Sequence, residues 1–126
     1  HIKLLLMKKI LYYTDLMPFL SDSSKAFAKL RKNFEIFSEH KNDVRLVWHP
    51  YSRTEEFLKL NNCECIDEYR EIVDYYKSCN LGDFDEESGG AELAECCDAY
   101  YGDYSDIIAF FTKNKKPVMI QNMDII

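Results

Sequence analysis

Two kinds of apolar pattern alternate along this chain. Short continuous apolar or aromatic runs end in polar or turn-forming residues, and between them lie stretches whose apolar residues recur every three or four positions. The first run, Lys8-Lys9-Ile10-Leu11-Tyr12-Tyr13, closes on Thr14-Asp15 and reads as a buried strand entering a loop. Pro18 and Ser21-Asp22-Ser23-Ser24 supply loop chemistry and a helix N-cap. From Lys25 to Glu39, Phe27, Leu30, Phe34 and Phe37 fall on one side with Lys29, Arg31, Lys32 and Glu35 between them, which predicts an amphipathic helix.

Val44-Arg45-Leu46-Val47-Trp48 is the second predicted strand, ended by His49-Pro50 because proline lacks the N–H a ladder needs and restricts the residue before it. A helical region follows from Thr54, its cap, with Ile66, Tyr69, Val73 and Tyr76 on one face and an interruption at Asn61-Asn62. Leu81-Gly82-Asp83-Phe84 is a weaker third strand, and an acidic, glycine-containing loop covers Asp85 to Gly90. Ala91 to Cys97 reads as helix, Ala99-Tyr100-Tyr101 as a fourth strand stopping at Gly102-Asp103. Ser105 then caps a helix carrying Ile107, Ile108, Phe110 and Phe111. Lys113, Lys115 and Lys116 lie at its negative end, and Val118-Met119-Ile120-Gln121 forms the last strand after Pro117. Four strand-helix units and a closing strand predict an α/β fold. The expectation is an open parallel sheet of about five strands in a three-layer α/β/α, Rossmann-like sandwich with right-handed crossovers.

A length of 126 residues suits a single domain spanning 1–126, and a chain starting at His1 without an initiator reads as a processed chain or a piece of a longer protein. Its 47% hydrophobic content supports a packed core rather than disorder. With 16 Lys+Arg against 22 Asp+Glu the net charge is −6, which argues against a nucleic-acid groove, since that needs clustered cations. Cys63, Cys65, Cys79, Cys96 and Cys97 contain no C-x-x-C pair, so neither a metal site nor a cofactor is expected, and unpaired thiols suit a reducing cytoplasm. Apolar runs such as Ile107 to Phe111 are far below the ~18 residues of a membrane helix.

In open parallel sheets, ligands collect beyond the carboxyl ends of the strands. The polar residues expected there are Thr14 and Asp15, His49, Asp85, Gly102, Asp103 and Ser105, and Asn122. Gly102 permits close backbone approach, and Ser105 opens a helix whose first N–H groups suit a phosphate; the same residues equally serve as turn and cap. His49 can donate to a phosphate oxygen or, protonated, offset charge on a leaving group. The run Asp83, Asp85, Glu86, Glu87 lacks calcium-loop spacing and reads as solvated. Of the pairs Tyr12-Tyr13, Tyr75-Tyr76 and Tyr100-Tyr101, one tyrosine each can face the ligand edge. A receiver-type phosphoacceptor module is disfavoured because Lys115-Lys116 precedes the fifth strand, at the wrong pole of the sheet.

Cys97-Asp98-Ala99-Tyr100-Tyr101-Gly102-Asp103-Tyr104-Ser105-Asp106, followed by Lys116-Pro117-Val118-Met119-Ile120, resembles the segment S-D-x-x-x-[TG]-D-[YW]-S-S…[GN]-K-P of CDP-glycerol glycerophosphotransferase-like proteins, which include teichoic-acid polymerases. Ile10-Leu11-Tyr12-Tyr13-Thr14 resembles a first strand of that family, and Val47-Trp48-His49-Pro50 its histidine-proline strand end. Asp106 stands where the pattern has a second serine. With Trp48 setting the register, Tyr51 takes the histidine position; a shift of two residues gives it to His49.

The resemblance implies the C-terminal, donor-binding half of a two-domain GT-B fold, which would make this chain a fragment of a larger two-domain protein. His49 would contact the donor diphosphate catalytically, and Thr14, Gly102, Asp103, Ser105 and Asp106 would form the binding edge. The reaction would transfer glycerol phosphate from CDP-glycerol to an acceptor hydroxyl, releasing CMP. The implied partners are a nucleotide-diphosphate donor and an acceptor domain in the parent chain. The implied location is the cytoplasm, at the inner face of the membrane through the parent protein. Lacking the acceptor half, the isolated domain is expected to bind without turnover. The alternative is a non-catalytic interaction module that retains the fold. A third, thiol redox chemistry at Cys96-Cys97, lacks a positive field to lower a thiol pKa.

Overall fold

The computed structural model describes residues 7–61 and 63–121. Its elements are β1 (Lys8–Thr14), α1 (Met17–Ser21), α2 (Ser23–Glu39), β2 (Val44–Pro50), α3 (Thr54–Asn61), α4 (Cys63–Ser78), β3 (Gly82–Phe84), α5 (Gly90–Cys96), β4 (Ala99–Gly102), α6 (Ile107–Lys113) and β5 (Val118–Ile120). The five strands pair in parallel in the order β3-β2-β1-β4-β5. The fold is the expected α/β three-layer sandwich of the Rossmann type.

Strand order explains the layers. From β1 the chain moves outward to β2 and β3, then returns past β1 to β4 and β5. Crossovers of one hand that travel in opposite directions must pass over opposite faces. Accordingly, one core joins Tyr12, Leu46 and Trp48 of the sheet to Phe27, Leu30 and Phe34 of α2 and to Tyr69 and Tyr76 of α4. The other joins Leu11, Val47 and Tyr100 to Leu93 and Ala94 of α5 and Phe111 of α6. Alternate residues of each strand therefore feed different cores, as the pleat requires.

Trp48 is the hub of the first core, with ring centroids of Phe34 at 4.9 Å, Phe84 at 5.1 Å and Tyr76 at 5.2 Å, all near edge-to-face or tilted. The helix-spaced phenylalanines read from the sequence supply this packing: Phe27 and Phe34 are fully buried, and Phe37 packs at the margin. Asp22, rather than a neighbouring serine, caps α2, accepting from the Lys25 amide at 3.2 Å.

Two boundaries and one side-chain role differ from the sequence reading. The segment around Pro18 is a helical turn, α1, with proline in its first turn, where the missing N–H costs nothing. Strand β2 does not stop at Trp48 but continues through His49 and Pro50, paired with Tyr13 and Thr14. Its β3-facing hydrogen bonds fall at Leu46 and Trp48, so Pro50 presents its missing donor to that side, beyond the last β3 pairing, Trp48 with Phe84. Finally, Lys116 serves the end of α6 only through its amide, which donates to Phe111 O at 2.9 Å, while its side chain goes to another helix. Its Nζ donates to the carbonyls of Ala94 at 2.6 Å, Glu95 at 3.3 Å and Cys97 at 2.8 Å, closing the C-terminus of α5. No described helix is long and apolar enough to cross a membrane.

Candidate functional site

The sheet delivers four loops to its carboxyl edge, and they enclose an open pocket of about 550 Å³. Tyr13 reaches it from β1, His49 from β2, and Tyr51 and Ser52 from the loop after β2. Glu86, Glu87 and Ser88 line it from the loop after β3; Ser105, Asp106 and Ile107 line it from the entry to α6. The volume lies within the usual range for small-molecule sites.

His49 is 7% exposed and opposite Tyr13 in the sheet register, with ring centroids 6.1 Å apart. Its Nδ1 lies 2.6 Å from the carbonyl oxygen of Asp85. That carbonyl is held by a compact turn. The Asp85 amide donates to Trp48 O at 2.9 Å, while the Asp85 carboxylate accepts from the amides of Glu87 and Ser88 and from Ser88 Oγ at 2.6 Å. Burial works against the Asp85 charge, but these hydrogen bonds and the nearby His49 outweigh it and hold the carboxyl below its ordinary range.

Ser105 is tied inward. Its Oγ sits 2.9 Å from the Tyr100 hydroxyl and accepts from the Ile107 amide at 3.2 Å. The next amides of α6 are engaged as well, Ile108 to Ser105 O and Ala109 to Asp106 O, both at 3.2 Å. The expectation of bare amide hydrogens at this turn is therefore not met. The chain tightens into a 3₁₀-like entry that engages these three donors. Asp106 stands in the N-cap position without a side-chain cap and is exposed at the pocket.

The other expected site residues are used within the fold. Thr14 is 3% exposed and its Oγ1 accepts from Trp48 Nε1 at 3.0 Å, away from the pocket. Gly102 has φ of +137°, and a Cβ there would lie 2.1 Å from Tyr13 O; its close approach is to the neighbouring strand rather than to a ligand. Asp103 accepts from the Asp15 amide at 2.8 Å and from Gln121 Nε2 at 3.0 Å, stitching the loop after β1 to those after β4 and β5. Gln121 Oε1 in turn accepts from buried Asn33, whose Nδ2 also donates to Tyr12 OH. Asn122 lies outside the described residues.

Of the sequence candidates, His49, Ser105 and Asp106 meet in one pocket, and Tyr13 joins them as the edge-facing member of its pair. Ser52 and Ser88 carried no local signal, Tyr51 entered only as the alternative to His49 in the histidine register, and Glu86 and Glu87, read as a solvated loop, form part of the wall. Among the described residues no cluster of three His, Cys, Asp or Glu side chains is placed to hold a metal ion. At Cys96-Cys97, burial pushes the Cys97 thiol up to about 11, so it is un-ionised at neutral pH, while Cys96 is exposed. Comparison with protein-family models, with curated proteins and with solved structures finds no match for this chain.

Proposed function

We propose that this domain binds a nucleotide-linked donor such as CDP-glycerol, as the donor half of a glycerophosphotransferase-like protein, with the pocket at the carboxyl edge receiving the donor. One observation carries the reading. His49 and Ser105, on separate strand ends, line the same pocket at the pole of a Rossmann-type sheet where ligands bind. The histidine-proline strand end and the Gly102–Ser105 turn, which bear the resemblance, are the two sides of that pocket. Transfer would require an acceptor half, so the domain alone would bind without turnover.

Calorimetric or NMR titration with CDP-glycerol and CMP tests this. Resonances of His49 and Ser105 are expected to shift with CDP-glycerol, and silence with both compounds overturns the reading.

A second reading, a module that keeps the fold without the chemistry, is favoured by the wall itself. Glu86, Glu87 and Asp106 line it and, among the described residues, no lysine or arginine does. Each carboxylate about 4 Å from a phosphate would cost ~1 kcal/mol even at the dielectric of water. In the parent protein, His49→Ala and Ser105→Ala separate the two: loss of transfer supports the donor reading, unchanged transfer the interaction module.

A further inference from the structure

From the direction of each hydrogen bond at the pocket, we infer that His49 Nε2 and Ser105 Oγ face it as acceptors, and that the group seated between them is a polyol rather than a phosphate. The inference deepens the donor reading above: it names which part of the ligand the pocket takes.

A backbone carbonyl only accepts, so the 2.6 Å contact between His49 Nδ1 and Asp85 O requires the proton to be on Nδ1. The neutral ring then has a lone pair on Nε2, which has no hydrogen-bond partner among the described residues. Ser105 follows the same logic. Tyr100 has one hydroxyl proton and gives it to the Asp103 carbonyl, so the hydrogen between Tyr100 OH and Ser105 Oγ comes from Ser105. With its proton spent, Ser105 offers the pocket a lone pair only.

The remaining wall is consistent with this. Ser88 gives its proton to Asp85, Tyr13 to Asp15 at a long 3.4 Å, and the first amides of α6 are already bonded. A phosphoryl oxygen carries negative charge and would meet the carboxylates of Glu86, Glu87 and Asp106 beside the lone pairs of His49 and Ser105. Hydroxyl groups donate to such acceptors, and a carboxylate takes two adjacent hydroxyls well. The hydroxyls of Tyr51 and Ser52 can still donate, which suits a ligand that also accepts, as a polyol does and an ammonium does not.

The test begins on the wild-type protein, with no substitution. Long-range ¹H–¹⁵N spectra of His49, recorded where the ring is neutral, should show the proton on Nδ1 and Nε2 bare; the opposite tautomer overturns the inference. CDP-glycerol and sorbitol should then shift His49 and Ser105, while CMP, choline and inorganic pyrophosphate should leave them in place. Shifts with pyrophosphate, CMP or choline overturn it, though CMP shifts leave the nucleotide reading intact. Shifts with sorbitol and none with any nucleotide retain the polyol assignment and remove the donor reading. Silence throughout removes both. His49→Phe should weaken binding about tenfold, with His49→Gln, which restores an acceptor, recovering part of it. Should these variants fold poorly, Glu87→Gln on the exposed wall should weaken sorbitol binding severalfold, and an unchanged affinity counts against the polyol.

Discussion

Asp103 and Gln121 meet through a 3.0 Å hydrogen bond, Nε2 to Oδ1, that joins the turn after β4 to the end of β5. The other Asp103 oxygen takes the Asp15 amide at 2.8 Å, so one carboxylate ties three strand ends together at the carboxyl edge of the sheet.

Both of those Asp103 neighbours are donors, and this decides what substitutions do. Asp103→Ala should lower stability by about 3 kcal/mol, since two bonds to a charged acceptor are lost and a part-buried amide is orphaned. Asp103→Asn should recover only part, because one of its two polar atoms must face a donor with a donor. Urea denaturation of the three proteins checks this, and a loss below ~0.5 kcal/mol for alanine would contradict it.

Lys116→Met should cost about 2 kcal/mol by freeing the carbonyls of Ala94, Glu95 and Cys97, a cluster that draws a charged donor at the negative end of α5. The effect is local. Amide exchange should accelerate across Leu93–Cys97 before it does in β1 or β2. Lys116→Arg should not restore protection, since a planar fork cannot converge on three carbonyls as an ammonium does.

The pH response follows from Asp85. Burial opposes its charge, yet the hydrogen bonds from Ser88 and Glu87, with His49 nearby, leave its folded pKa below the unfolded value. A depressed carboxyl contributes stability that is complete above the unfolded pKa of ~3.9 and is lost as pH falls through the folded value. Stability should therefore drop in the acid region below about pH 4, and Asp85→Asn should flatten that drop while lowering stability at neutral pH. Thermal melts from pH 2 to 7 on both proteins measure it; parallel curves would refute it.

Alternating β/α order was legible in the sequence because each strand is a continuous apolar run and each long helix has a clear stripe, as Phe27, Leu30 and Phe34 show. The boundary errors share a cause: proline was read as punctuation. Pro18 sits in a first turn and Pro50 at a strand end, past its neighbour's last pairing, and both depend on what lies beside them rather than on adjacent residues. The pole at which His49, Ser105 and Asp106 gather was legible from topology. Their hydrogen-bond roles were not, because Ser105 loses its donor to Tyr100 only after Tyr100 has given its own to Asp103. Lys116 is a similar case: its amide closes the helix that precedes it in sequence, while its ammonium closes a different one in space.

The central place of β1 also has a kinetic side. Strands β1, β2 and β3 can zip together from consecutive stretches of chain, but β4 must come back to β1 from far downstream; the contact between the Lys9 amide and Asp98 spans 89 positions. Closing so large a loop is entropically slow, and it yields stabilising contacts only once it is complete. This topology predicts that the wall formed by Ser105 and Asp106 assembles last, after His49 is in position.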